Sequence, residues 1–226
     1  MTIKIRKLLF LLLGLTIMFS IFGCSRNETD YIEKDNEAAT VNNGSSSENK
    51  EHQILVIYFS RTGEQYRVGV IDKGNTAIVA EMIAETSQAD LFEIIPADDH
   101  YPMTYAELTD VAKRKQNEKA RPAYATEVED LDKYDTVFIG APVWWGDWPM
   151  IMYTFFENNA AVLADKTLIP FSTHEGSGLS GFDKKLSSVC PESKVLKGLT
   201  INGSDAQNDK DSVKKAVEEW IDELGF

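Results

Sequence analysis

The chain has 226 residues, with 36 Asp and Glu against 23 Lys and Arg, for a formal net charge of −13. Nucleic-acid phosphates repel such a surface, so a nucleic-acid partner is not expected. Only two cysteines occur, Cys24 and Cys190, too few for a zinc cluster, and no metal site is read from the sequence.

The first 24 residues read as an export signal. Lys4, Arg6 and Lys7 precede the almost wholly apolar run from Leu8 to Phe22, which is shorter than the ~20 apolar residues of a spanning helix. The run ends at Ile21-Phe22-Gly23-Cys24, which resembles the lipobox of bacterial lipoproteins. That resemblance implies lipid attachment at Cys24. An ordinary secretory signal and an uncleaved anchor are the alternatives, and all three place the rest of the chain on the extracytoplasmic face of the membrane. Residues 25–52 are rich in Asn, Ser, Glu and Asp and bury too little to order themselves, so a flexible tether is expected. Residues 53–226 then form one domain. With Cys24 taken by the anchor, Cys190 is left without a disulfide partner and reads as a half-buried packing residue.

Strand-like and helical patterns alternate through the domain. Gln53 to Phe59 is a nearly unbroken apolar strand, of the kind buried on both faces of a parallel sheet. Asn75 to Ser87 carries Ile78, Val79, Met82 and Ile83 at helical spacing. Asp90 to Ile95 is a strand stopped by Pro96. Met103 to Asn117 is a helix with Tyr105, Leu108, Val111 and Ala112 on one face, and its Lys113-Arg114-Lys115 run reads as solvated surface. Thr136 to Gly140 is the third strand, followed by a helix from Pro149 to Asn158 with proline in its first turn. Lys166 to Ser172 is the fourth strand and Gly178 to Val189 a helix. Val195 to Ile201 is the fifth strand, and Asp209 to Leu224 the closing helix. This alternation predicts an α/β fold, a doubly wound five-stranded parallel sheet with helices on both faces.

In such sheets ligands bind beyond the carboxyl ends of the strands. Three distinctive loops leave those ends. After the first strand, Ser60-Arg61-Thr62-Gly63 offers hydroxyls and amides, and a helix starts near Asn75 and Thr76, a combination suited to a phosphate. It lacks the lysine ending of a triphosphate-binding loop. After the third strand comes Pro142-Val143-Trp144-Trp145-Gly146-Asp147-Trp148-Pro149. Trp148 beside Pro149 reads as packing at the helix start, whereas Trp144 and Trp145 suit a flat ring. After the fourth strand, Thr173-His174-Glu175-Gly176-Ser177-Gly178 provides glycines for close approach and polar contacts to a ring edge. No serine lies in a G-x-S-x-G elbow, which argues against an esterase.

These segments, YFSRTG, GNT, GAPVWWGDWP and PFSTHEGSG, resemble the flavodoxin family, and within it the bacterial flavodoxin-like lipoproteins. The resemblance implies a flavodoxin-like fold and noncovalent FMN. It implies Ser60, Arg61, Thr62, Asn75 and Thr76 at the phosphate. Pro142, Val143, Trp144, Trp145 and Gly146 would line the isoalloxazine, with Trp144 in the stacking position. Thr173, His174, Gly176 and Ser177 would meet the ring's other edge. Two departures stand out: residues 64–74 interrupt the phosphate loop, and the third loop has no tyrosine, which leaves one ring face open or with His174 as the nearest residue to replace it. Asp147 and Glu175 would disfavour negative charge on a bound ring. The implied activity is electron transfer or flavin-dependent reduction with a quinone or a redox partner protein, in a membrane-anchored flavoprotein. The alternatives are a non-catalytic module that binds FMN or a partner, and an anchored scaffold with an empty nucleotide site.

Overall fold

The computed structural model describes residues 53–98 and 101–226; the signal, the lipid site at Cys24 and the tether lie outside them. Strand β1 (Ile54–Tyr58) is buried along its whole length. Leu55, Ile57 and Phe59 enter one core cluster, while Ile54, Val56 and Tyr58 enter the other. This is the period-two division of a strand covered on both faces. Residues Gly63–Gln65 (β2) and Gly69–Ile71 (β3) form a separate antiparallel hairpin.

The main sheet continues with β4 (Asp90–Glu93), β5 (Thr136–Pro142), β6 (Thr167–His174), β7 (Lys194–Val195) and β8 (Leu199–Asn202). Its order is β4-β1-β5-β6, with β7 and β8 sharing the next position, and every pairing is parallel. The expected doubly wound sheet is present, but its fifth strand is broken. Lys194 and Leu196 donate their amides to Lys166 O and Leu168 O, so alternate residues of β6 face this neighbour. Pro170 is next in that series and has no N–H to offer. The partner strand leaves the ladder opposite it and resumes as β8.

Helix α1 (Asn75–Ser87), the short α5 (Gly203–Asn208) and α6 (Lys210–Leu224) cover one face, through Val79, Ile83, Ala206, Val217 and Trp220. Helices α2 (Tyr105–Asn117), α3 (Met150–Leu163) and α4 (Phe182–Val189) cover the other, through Leu108, Ile151, Phe155, Phe156 and Phe182. Helix α3 runs past the expected stop at Asn158, because Asn159 turns its amide back onto Phe155 O at 2.9 Å and Leu163 is buried. Helix α4 starts at Phe182 rather than Gly178, because Gly178, Ser180 and Gly181 all have positive φ. Cys190 is fully rather than half buried, and burial pushes its thiol up to about 11. Among the described residues, no helix is long and apolar enough to cross a membrane.

Candidate functional site

Strands β1, β5 and β6 are neighbours, so the loops leaving their carboxyl ends share one edge of the sheet. Phe59 N donates to Gly140 O at 2.9 Å, and Val143 N donates to Thr173 O at 2.9 Å. The hydroxyls of Thr76 and Thr173 meet at 2.7 Å in the interior. These bonds tie the three loops to one another.

The first loop is interrupted by the hairpin yet closes upon itself. Gly74 lies so close to the loop's start that a Cβ there would stand 2.1 Å from Ser60 Oγ and 2.6 Å from Arg61 O. Ser60 Oγ accepts the Ala77 amide at 3.0 Å. The hairpin is therefore an excursion that begins and ends at one point, and Ser60-Arg61 adjoins Gly74-Asn75 as if the two were consecutive. No acidic residue occupies the first turn of α1, so the positive end of the helix dipole is not offset from within the helix. Asn75 Oδ1 accepts from Gln207 at 2.8 Å.

In the second loop, Trp144 and Asp147 exchange backbone hydrogen bonds of 3.0 Å each. Trp145 and Gly146 occupy the corners with φ of 52° and 70°, the signature of a type I′ turn. Glycine adopts this conformation freely; tryptophan does so at a steric cost. Trp145 is held there from outside: its indole N–H donates to Thr109 O at 2.9 Å, and its carbonyl accepts from Gln116 at 3.3 Å. Lys113 Nζ lies 4.9 Å from its ring centre, and Lys115 Nζ lies 4.0 Å from that of Tyr101. The basic run on α2 is thus not merely solvated surface, since two of its members pack on aromatic faces. Trp144 meets Phe59 and Tyr101 edge-on, at ring separations of 5.5 and 5.1 Å. Trp148, 1% exposed, stacks on Phe182 at 3.6 Å, the packing role its place beside Pro149 predicts.

The two carboxylates near the turn have structural employment. Asp147 Oδ1 accepts from Trp148 N and Tyr153 OH, each at 2.8 Å, and lies 3.1 Å from Lys185 Nζ. Lys185 also donates to Gly146 O at 2.6 Å. Its charge offsets the field of Asp147 toward the cleft, so the expected repulsion of a negative ring is weakened. Glu175 accepts the Ser204 amide at 2.7 Å. In the third loop, Gly176 N–H donates to His174 Nδ1 at 2.8 Å, which leaves the proton of a neutral ring on Nε2. Burial holds His174 below the ordinary imidazole value, with Glu175 and Asp205 pulling the other way.

Between these loops lies a cleft of ≈ 360 Å³, within the size range of small-molecule sites. Of the residues expected from sequence, Asn75, Pro142, Val143, Trp144, Trp145, Thr173, His174 and Ser177 line it. Ser60, Arg61 and Thr62 instead line an adjoining groove of ≈ 400 Å³, together with Gly74 and Lys73. Thr76 is buried beneath the loops, and Gly146 and Gly176 stand at turns outside the lining of either space. Sequence reasoning missed Gln65 and Tyr66 of the hairpin, and Tyr105, Leu108, Thr109 and Ala112 of α2, all of which line the cleft. The helical stripe of α2 was visible, but nothing in it distinguished a cleft wall from core.

The profile of the flavodoxin family matches residues 53–223. This chain belongs to the flavodoxin family. Among solved structures it is similar to a candidate flavoprotein from Bacteroides uniformis, at 29% identity over 76% of this chain and 98% of that one, with a TM-score of 0.59. A candidate flavoprotein from Bacteroides eggerthii also matches at 29% identity, over 77% and 98% of the two chains, with a TM-score of 0.60. A flavoprotein from Lactobacillus acidophilus, solved in complex with FMN, shares the fold at 22% identity over 71% and 99%, with a TM-score of 0.52. No curated protein matches the chain. The sheet order β4-β1-β5-β6-β7 is that of a flavodoxin-like fold.

Proposed function

We propose that this flavodoxin-family protein binds FMN in the cleft between the Trp144–Trp145 turn and the His174–Ser177 loop, and carries out electron transfer or flavin-dependent reduction. The observation that carries this reading is the cleft's composition: aromatic walls and an apolar floor from Leu108 and Ala112 meet the start of α1. A planar ring suits the first part and an anionic group the second. The FMN held by the L. acidophilus flavoprotein supports the same assignment.

Bound FMN supplies the redox chemistry, and the chain positions it. Trp144 and Trp145 provide the ring wall. Neutral His174 offers Nε2–H to an acceptor on the ring edge, and hydroxyls of Thr173 and Ser177 stand beside it. The loop from Ser60 to Thr62, closed by Gly74, and the amides at the start of α1 would receive the phosphate. The electron partner is a quinone or a redox protein, reached from the extracytoplasmic face of the membrane, where lipid at Cys24 anchors the chain.

An anaerobic redox cycle tests the activity. FMN-loaded protein reduced with dithionite is expected to regain its yellow absorbance on addition of a soluble quinone faster than free FMN does. Protein that keeps FMN but does not cycle would mark a non-catalytic binding module. Cys24→Ser should move the protein from the membrane to the soluble fraction, and unchanged membrane retention would remove the lipid anchor.

A further inference from the structure

Among the described residues, the hairpin of β2 and β3 is left without a purpose by the functional reading. Gly74 packs directly against Ser60 and Arg61, so the hairpin between them projects from the strand-to-helix turn rather than forming part of it. It is nonetheless held firmly against the neighbouring helix. Glu64 N donates to Met103 O at 2.8 Å, and the Glu64 carboxylate accepts the Tyr105 amide at 2.8 Å.

At its tip stands Tyr66. Its ring stacks on Tyr105 at 5.5 Å with an interplanar angle of 26°, and the Arg67 guanidinium lies 5.3 Å from its centre. Tyr66 nevertheless remains 48% exposed. Tyr66 lines the same cleft as Trp144, Trp145 and His174. An aromatic ring held by two neighbours, half exposed and lining a cleft, is preorganised for a contact with a ligand there.

Resting on the FMN reading above, we infer that Tyr66 is a cofactor-contacting residue, and that the hairpin supplies the second aromatic wall of the FMN cleft. The third loop offers imidazole, hydroxyls and glycine but no aromatic carbocycle, so the turn at Trp144–Trp145 provides an aromatic surface from one side only. The Tyr66–Tyr105 pair provides it from another. The ring face that looks open in the sequence is thereby covered from outside the third loop. The cover is a hairpin whose two strands have only three residues each.

The test is FMN binding by the full-length protein in detergent, comparing wild type with Tyr66→Leu, Tyr66→Phe and Val70→Ser. Leucine keeps apolar bulk against Tyr105 but removes the ring. Val70 lies on the same hairpin, is 80% exposed and is outside the cleft lining. Tyr66→Leu is expected to raise the FMN Kd by roughly two- to tenfold, the range of a single aromatic contact. It should also brighten the emission of bound FMN, because a phenol beside an excited flavin quenches it by electron transfer. Val70→Ser should match wild type in both measurements, and Tyr66→Phe should keep the affinity close to wild type while brightening the emission, since a phenyl ring packs alike but does not quench.

If wild type binds FMN but Tyr66→Leu changes neither affinity nor emission, the hairpin assignment is overturned while the FMN reading stands. If Tyr66→Leu alters only the KM of an added quinone, Tyr66 serves the second substrate and the assignment is likewise overturned. A wild-type protein that takes up no FMN overturns both.

Discussion

His174 shows how far one side chain's chemistry follows from its neighbours. Its Nδ1 accepts a backbone amide from Gly176, a bond that exists only while that nitrogen is unprotonated. Burial, the larger influence, lowers the affinity of the ring for a second proton, and Glu175 and Asp205 raise it. The folded chain therefore resists a proton that the unfolded chain accepts from about pH 6.5 downward. Stability is fully present above the unfolded value and is lost as pH falls through the folded one. NMR titration should place His174 below 6.5, and Glu175→Gln should lower it further. The fall in urea midpoint between neutral and mildly acidic pH should shrink in His174→Gln. A His174 that titrates at or above the ordinary value would contradict the arrangement. Histidine at this position was legible as a polar contact in the sequence; its tautomer was not, because that depends on an amide two residues away folding back.

At the scale of elements, the central strands β1, β5 and β6 were legible as apolar runs, and the helices that cover them as apolar residues at helical spacing. What the sequence hid came from single-residue effects. Pro170 splits the fifth strand through a missing donor, and positive φ at Gly178, Ser180 and Gly181 delays a helix by one turn. The segment 64–74 was visible as an interruption, but its two short strands lack any apolar alternation that would announce a hairpin. The pairing brings Gly63 opposite Ile71 and so returns the chain to Ser60. Gly74 is the point where that return is tightest. Gly74→Ala would place a methyl against backbone of Arg61 as well as Ser60 Oγ, so the first loop would have to open. The expected result is an FMN Kd raised at least tenfold, on the order of 1.4 kcal/mol or more, with the far-UV spectrum retained. Unchanged affinity in calorimetry would show that loop closure at Gly74 is irrelevant to the ligand.

The described residues form an α/β layer covered on both faces, and the candidate site at one edge of its sheet is assembled from distant parts of the chain. The residues that line the cleft span Gln65 to Ser177, and the doubly wound fold expected from the alternation of strands and helices already joined the three loops at one edge. The flavodoxin resemblance implied Trp144 as the stacking ring; in the folded chain Trp144 is wedged edge-on between Phe59 and Tyr101. Trp145 is the more exposed of the two, at 53%. Both border the same space, so the wall is shared rather than held by one residue. That division depends on how α2 packs against the turn, which local sequence does not encode. The cleft's shared aromatic wall suits a flavin. Titration of the purified protein with FMN, followed by visible absorbance and indole fluorescence, tests it most directly. We expect one FMN per chain, a perturbed yellow spectrum, falling indole emission, and weaker binding in Trp144→Ala. A spectrum and an emission that stay those of the separate components at saturating FMN would contradict it.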